Sequence, residues 1–139
     1  MNRYGLYIIN CLVIMMIVTG CSGSKAENKA NLDDEIFEKG TLLVQYSYMD
    51  YQGADEIDGY QELKEWYNQY MANDNYTSTD EELFFVIMKN IQTQQVLYAM
   101  EMVTATYTGD TYDVEMRGEE IDELYREIEG RFGMPYIVE

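Results

Sequence analysis

The stretch that decides the fold runs from Leu83 to Ile91 and reads LFFVIMKNI. A short apolar run can be a buried strand or a buried helix, so composition and flanking residues must separate the two. Phe84 to Ile87 is aromatic or β-branched throughout, which favours a strand. A helix is the alternative, because Thr79 and Glu82 have the spacing of a capping box just before the run. We predict a strand here.

The segments around this run alternate in the manner of strands. From Val96 to Thr108 apolar and aromatic residues recur on one parity, and Gly109-Asp110 separates this segment from a further short one. A Gly-Asp pair between alternating segments is typical of a hairpin turn. Residues 90–95 form a mostly polar interruption, NIQTQQ, which suits a second turn. We therefore predict four strands, over residues 41–51, 83–91, 96–108 and 112–116.

Two other segments have the three- and four-residue spacing of amphipathic helices. The first spans Tyr60 to Met71, and the second spans Glu119 to Phe132 and is followed by Gly133 and Pro135, which are stop signals. The element order is then β-α-β-β-β-α. This order predicts an α+β fold, in which a small antiparallel sheet of about four strands carries two amphipathic helices on one face.

The N-terminus has the features of an export signal. Arg3 precedes an apolar stretch from Tyr4 to Val18, which is shorter than the roughly 20 residues needed to cross a bilayer. The stretch ends in Val18-Thr19-Gly20-Cys21. These four residues resemble the lipobox of bacterial lipoproteins, and the resemblance covers the leader alone.

The resemblance implies cleavage between Gly20 and Cys21 and attachment of a diacylglyceryl group to the Cys21 thiol. Two or three acyl chains on one residue would make stable membrane anchoring. We therefore expect an exported protein, lipid-anchored to a bacterial membrane on its periplasmic or extracellular face. The expected organisation is a signal peptide (residues 1–20), a lipidated cysteine with a flexible polar tether (21–40) and one α+β domain (41–139).

The part of the chain after the leader is strongly acidic. All 26 acidic side chains follow residue 20, and Arg3 is the one basic residue before it, which leaves eight basic residues and a net charge of −18. Such a field repels phosphate backbones and anionic lipid head groups. We therefore expect no nucleic-acid partner and no electrostatic adsorption to membranes. High charge also keeps an exported protein soluble, without any partner being required.

Residue types rather than motifs limit the chemistry. The chain has no histidine, and its two cysteines are Cys11 in the leader and Cys21. Zinc sites and Ser-His-Asp or Cys-His catalysis are thus excluded in the mature chain. No EF-hand loop and no glycine-rich nucleotide loop occurs in the sequence. We expect no metal, no cofactor and no enzyme activity; an enzyme that works through carboxylates alone is an alternative.

Tyrosine is the remaining unusual feature, with 14 in the chain. Tyrosine is favoured at recognition surfaces because it combines apolar area with a hydroxyl group. Tyr46, Tyr48 and Tyr51 are our candidate binding face, on an open sheet that would dock an envelope protein or glycan. The function we expect is a non-enzymatic binding or scaffolding lipoprotein of the cell envelope. The alternative is an acidic inhibitor or immunity protein against a cationic secreted hydrolase or toxin. The sequence leaves the oligomeric state open.

Overall fold

The chain folds as helices where strands were predicted. A computed structural model describes residues 26–74 and 76–138. Its elements are α1 (Asp34–Tyr51), α2 (Tyr60–Asn73), α3 (Thr79–Thr108) and α4 (Tyr112–Phe132), and the described residues contain no strand. The predicted α+β fold with an antiparallel sheet is therefore wrong. The two predicted helices are confirmed as α2 and the larger part of α4.

The decisive stretch, Leu83–Ile91, lies inside α3, and the predicted strand there is wrong. The helix begins at a capping arrangement one residue earlier than the one in our alternative, because the Ser78 hydroxyl accepts from the backbone N–H of Glu81 (3.1 Å). The buried Glu81 carboxylate accepts in turn from the backbone N–H and the hydroxyl of Thr77, both at 2.7 Å. These bonds satisfy donors at the helix start and set its first turn.

The predicted turn over residues 90–95 is also helical. Its polar residue Gln95 points into the core and forms hydrogen bonds to two other helices. The Gln95 amide donates to the Tyr125 hydroxyl (2.9 Å) on α4 and to the Ser47 carbonyl (3.2 Å) on α1. The Tyr125 hydroxyl donates to the Ser47 hydroxyl (2.9 Å). A hydrogen-bonded network of this kind can sit in a core at low cost. The polar interruption in the sequence is therefore a cross-link between three helices.

The predicted strand over residues 41–51 belongs to α1, which begins at Asp34 because Asp33 accepts from the Glu35 N–H (2.9 Å). The strand was predicted because Leu42, Val44, Tyr46 and Tyr48 alternate along the sequence, but Leu42 is 42% exposed. The buried positions follow helical spacing instead: Ile36, Gly40, Leu43, Val44 and Ser47. The alternation of apolar residues over 41–51 led to the wrong prediction, because a helix with many apolar residues also has some of them at every second position.

The predicted hairpin of strands 96–108 and 112–116 is a hairpin of helices. Gly109 ends α3 in the left-handed conformation (φ 76°), and three residues connect it to α4. The β-branched residues here are accommodated by bonds to their own helix: the Thr104 hydroxyl donates to the Met100 carbonyl (3.1 Å) and that of Thr106 to the Met102 carbonyl (2.9 Å). The turn signal was correct, but it joins helices.

Helices α1 and α3 run parallel, and α2 and α4 run antiparallel to them. A Cβ on Gly40 of α1 would lie 2.9 Å from the Phe84 ring, so this glycine permits close packing of α1 on α3. We call the end of the bundle that contains the first turns of α1 and α3 the base, and the α3–α4 connection the tip. None of the four helices is long and apolar enough to cross a membrane.

The described N-terminal segment is attached at the base. The Glu27 N–H donates to the Gly133 carbonyl (3.3 Å), and the Lys29 N–H donates to the Phe132 carbonyl (3.2 Å). Leu32 is buried in the core. Residues 26–33 therefore pack on the bundle, and α1 starts within the segment that was predicted as tether.

Candidate binding surface

The three tyrosines of the predicted binding face lie on α1 and pack against different neighbours. The ring of Tyr46 meets that of Tyr60 edge-on at 6.3 Å. Tyr48 packs edge-on against Tyr125 at 5.0 Å, and Tyr51 contacts Tyr98 at 5.4 Å. All three rings are partly buried. The structure thus separates Tyr46 from the other two, and the sheet face on which they were placed is absent from the described residues.

Burial favours the neutral form of the Tyr48 and Tyr51 phenols. It raises the pKa of Tyr51 to about 12, with a further contribution from Tyr98, and it also raises the pKa of Tyr48. Both hydroxyls therefore stay protonated at neutral pH, so Tyr48 and Tyr51 contribute packing rather than acid-base chemistry. Their role in binding stays a prediction. The predicted lipidation site Cys21 and the other residues of the predicted lipobox, Val18, Thr19 and Gly20, lie outside the described residues.

The most exposed apolar surface lies where α3 and α4 extend past the rest of the bundle. Tyr51, the last residue of α1, contacts Tyr98 of α3 and lies 3.4 Å from the position of a Cβ on Gly118 of α4. Beyond that level α3 continues to Thr108, which corresponds to about 15 Å of helix. This part of the hairpin therefore projects from the core.

Four apolar side chains form a line along the C-terminal half of α3, and we call this line the upper α3 stripe. It consists of Val96, Met100, Val103 and Tyr107, which are 61%, 61%, 59% and 86% exposed. Their spacing of four, three and four residues places them on one face of the helix. Large apolar side chains grouped in this way on a surface mark an interaction site more often than isolated ones do.

The stripe lies in an uncharged segment of an otherwise acidic chain. Between Lys89 and Asp110 the one charged side chain is Glu101. Its carboxylate is turned to α4, where it pairs with Arg117 (2.9 Å). A partner can therefore cover the stripe without removing an unpaired charge from water, which is the main cost of burying polar surface.

Arg117 braces the two helices of the hairpin behind the stripe. Besides Glu101, its guanidinium donates to the side-chain carbonyl of Gln94 (2.8 Å) and to the Glu120 carboxylate (2.9 Å). Planar, multiply bonded guanidinium contacts of this kind hold helices in a defined register. The stripe is thus presented on a braced helix rather than on a free one.

An acidic cleft adjoins the lower end of the stripe. The first part of the cleft has a volume of about 390 Å³ and lies at the α1–α2 connection. Among the described residues that line it, Lys64 is the only basic one. The acidic residues lining it are Asp50, Asp55, Glu56, Asp58 and Glu62. A second part, of about 380 Å³, shares Asp50 and Lys64 and continues to Val96. Apolar stripe and acidic cleft are therefore contiguous.

The cleft is acidic without being a recognisable metal centre. Within residues 26–74 and 76–138, no group of three or more acidic side chains is arranged to hold a metal ion. The Lys64 ammonium lies 4.3 Å from the centroid of the Tyr60 ring, a cation-π contact that engages the one basic side chain of the cleft. The surface therefore combines an exposed apolar stripe with a cleft in which five carboxylates outnumber the one lysine.

Sequence reasoning missed the upper α3 stripe although two signals pointed to it. Val96, Met100, Val103 and Tyr107 recur at helical spacing, but Val96 and Met100 also share the parity of a strand, and we followed the parity. The second signal was the uncharged segment between Lys89 and Asp110. Neither signal separates an exposed face from a buried one, so only the fold could show that the stripe is bare.

Comparison of the chain with protein-family models, with curated proteins and with solved structures finds no match.

Proposed function

We propose that the protein is a lipid-anchored component of the bacterial cell envelope that works as a non-enzymatic binding module. In this proposal Cys21 is the lipid attachment site, and the upper α3 stripe is the surface that binds another envelope component. The lipobox pattern of residues 18–21 supports the anchor. The absence of histidine from the sequence, and of cysteine after Cys21, supports a binding role over a catalytic one.

The observation that carries the binding role is the exposure of the stripe. Packing within the bundle does not account for two valines, a methionine and a tyrosine grouped on one outward helix face, because all four are mostly exposed. Apolar side chains with this arrangement gain free energy when a partner removes them from water, at roughly 25 cal/mol per Å² buried. The projecting helix is where a partner reaches them most easily.

The positions of the anchor and of the stripe fit this role. The chain is attached to the base at Glu27, six residues after Cys21, and six residues of any conformation reach at most about 20 Å. The stripe lies at the other end of α3, a helix of 30 residues that is about 45 Å long. The anchor would thus hold the base near the bilayer and leave the stripe accessible to envelope components beyond it.

The anchor is tested by Cys21→Ser in the producing cell. We expect the substituted protein to leave the membrane fraction, because it has no acyl chains, while its circular dichroism stays helical. Mass spectrometry of the unsubstituted protein should show a diacylglyceryl group on Cys21. An unmodified thiol in the membrane-bound protein would disprove the anchor.

The binding surface is tested with two exposed valines of the same helix. Val103 lies in the stripe and is 59% exposed, whereas Val86 lies outside it and is 54% exposed. Each can be changed to Glu with the same added charge and without loss of core packing. Crosslinking in native membranes should give one envelope component with the unsubstituted protein and with Val86→Glu, but not with Val103→Glu. Equal recovery with both variants would exclude the stripe.

The acidic inhibitor is the second candidate, and the cleft beside Asp55 and Asp58 favours it. It predicts that the protein inhibits a cationic hydrolase or toxin, and that Asp55→Asn with Asp58→Asn weakens the inhibition while Val103→Glu does not. Binding that falls steeply with salt would support this candidate. A panel of cationic lysozymes and nucleases that keep full activity would count against it.

A further inference from the structure

We propose that the upper α3 stripe binds an amphipathic α-helix of a partner protein, apolar along one side and basic at its ends. This inference rests on the proposed function and names the chemistry of the partner. It follows from three features: the spacing of the stripe, the way α2 already packs on the same face of α3, and the charges at the two ends of the stripe.

The spacing of the stripe is that of a helix–helix seam. Val96, Met100, Val103 and Tyr107 alternate steps of four and three residues, as apolar residues do in coiled coils and in bundles with a crossing angle near 20°. The neighbouring positions hold small or uncharged side chains, namely Ala99, Thr104 and Thr106. A second helix can therefore approach the α3 backbone closely without meeting charge.

The same face of α3 already carries a helix lower down. Phe85 lies eleven residues before Val96, three helical turns away and on the same side. Its ring stacks on Tyr70 (4.7 Å) and on Tyr67 (5.6 Å) of α2. α2 extends upward to Tyr60, beside the cleft that reaches Val96. A partner helix on the stripe would continue the position that α2 occupies.

The charges at the ends of the stripe select a basic partner. The acidic cleft adjoins its lower end, while Asp110 in the α3–α4 connection and Asp113 and Glu115 in the first turn of α4 lie at the tip, near its upper end. A helix with Lys or Arg near both ends would meet carboxylates at each. A second copy of this chain would place acidic ends together in either orientation, and anionic lipid head groups would meet the same repulsion.

The test uses the chain from residue 21 onward with Cys21→Ser, which contains the whole buried core between Leu32 and Met134. The probe is an 18-residue peptide with Leu at three- and four-residue spacing, Lys near both ends and Gln elsewhere. Two controls are a peptide with Glu in place of Lys and a peptide with the probe's own composition in scrambled order. Binding is measured by fluorescence anisotropy at low and physiological salt.

We expect the Lys probe to bind at least tenfold more tightly than either control, and to gain helical circular dichroism on binding. Val103→Glu should weaken this binding at least tenfold, whereas Val86→Glu should leave it within twofold. Asp55→Asn with Asp58→Asn should weaken it by a smaller factor and reduce its salt dependence. Together these results would support an apolar seam with acidic ends.

Several results would overturn the inference. Scrambled and patterned Lys peptides that bind equally would show electrostatic attraction without a seam. Dimers of the chain alone by analytical ultracentrifugation, lost on Val103→Glu, would assign the stripe to a second copy. Stripe-dependent binding to phosphatidylcholine vesicles would assign it to a membrane. If crosslinking in membranes depends on Val103 while the Lys probe fails to bind, the proposed function stands and the helix partner is wrong.

Discussion

The lower half of α3 (residues 79–93) and the upper half (94–108) are both rich in apolar side chains, but those of the lower half are mainly buried and those of the upper half are mainly exposed. In the lower half Phe84, Phe85 and Ile91 are fully buried. In the upper half Val96, Met100, Val103 and Tyr107 are mostly exposed. The difference lies in their neighbours, because α1 and α2 cover the lower half and end before the upper one.

The lower half is thus held by tertiary packing, and the upper half by its own backbone bonds and by α4. Most helical stability in proteins comes from packing an apolar face rather than from intrinsic propensity. A helix that keeps an apolar face without such packing has surface available for an external partner. The contrast between the halves therefore separates what stabilises this protein from what it can bind.

The largest effect should come from removing an aromatic ring in the lower half. Phe85→Ala leaves a cavity among Trp66, Tyr67 and Tyr70, whose rings lie within 6 Å of it. We expect a loss of about 3–5 kcal/mol in the free energy of unfolding, measured by urea denaturation. Val103→Ala in the upper half should change it by less than about 0.5 kcal/mol. Similar losses for both variants would show that the stripe is buried in solution.

A smaller loss should follow from Gly133→Ala at the base. Gly133 has φ 77°, and a Cβ there would overlap the backbone carbonyl oxygen of Glu27. We expect a cost of about 2 kcal/mol from the left-handed backbone, together with release of the N-terminal segment, so that trypsin cleaves after Lys29.

The matched control is Gly130→Ala, on an open surface of α4 with nothing near its added methyl group. This change should stabilise the protein by about 0.5–1 kcal/mol, since alanine is the better helix former. Probe binding at the stripe should be the same for both glycine variants. Weaker binding in Gly133→Ala alone would mean that base and tip are coupled.

The sequence was enough for α2, for most of α4 and for the turn between α3 and α4, whereas the turn predicted over residues 90–95 was wrong. Gly109 and Gly133 follow the last residues of α3 and α4, and both adopt the left-handed conformation (φ 76° and 77°) that such helix ends need. It was insufficient for α1 and α3. Phe84 to Ile87 and Val96 to Thr108 are rich in residues that favour strands, and tertiary packing overrode that preference.

We followed the alternation of apolar residues and therefore missed which of them share one face of a helix. A polar residue in a core requires a hydrogen-bond partner. The partners of Gln95, Ser47 and Tyr125, lie 48 and 30 residues away, so the neighbouring residues gave no sign of them and Gln95 was interpreted as part of a turn. Long-range bonds of this kind have no local signature. For the candidate surface the sequence showed the apolar spacing and the missing charge, while its exposure depends on where α1 and α2 end.

Alkaline pH should weaken the lower half by a further, smaller amount. Tyr67 packs on Phe85, and burial raises its pKa to about 12. A raised pKa in the folded state adds stability below pH 10, and this stability is lost as the pH rises from 10 towards 12. At pH 11 the loss from Tyr67 alone is on the order of 1 kcal/mol.

The test compares urea denaturation at pH 8 and pH 11 for the unsubstituted protein and for Tyr67→Phe. The variant lacks the ionising group and gives up one long hydrogen bond to the Phe85 carbonyl (3.4 Å). It should therefore lose less stability over this pH range than the unsubstituted protein. Since the chain has no histidine, stability between pH 6 and 8 should be nearly constant. An equal loss at pH 11 for both proteins would remove Tyr67 as the cause.

The smallest predicted effect comes from replacing exposed threonines of α3 by alanine, and it tests whether the two halves of the helix unfold separately. Thr106 in the upper half and Thr93 in the lower half are both exposed, and each hydroxyl bonds back to the carbonyl four residues earlier at 2.9 Å. Replacement by alanine should favour the helix by about 0.5 kcal/mol at either position. If the upper half opens on its own, Thr106→Ala should slow amide exchange around residues 102–106 about twofold without raising the melting temperature.

Thr93→Ala should instead raise the melting temperature slightly, because the lower half opens only when the core unfolds. The same reasoning predicts faster amide exchange over residues 99–108 than over 84–95 in the unsubstituted protein. Equal increases in melting temperature for both variants would show that α3 opens as one unit. In that case the upper half would be as firmly held as the core, and a partner helix would meet a surface already rigid before binding.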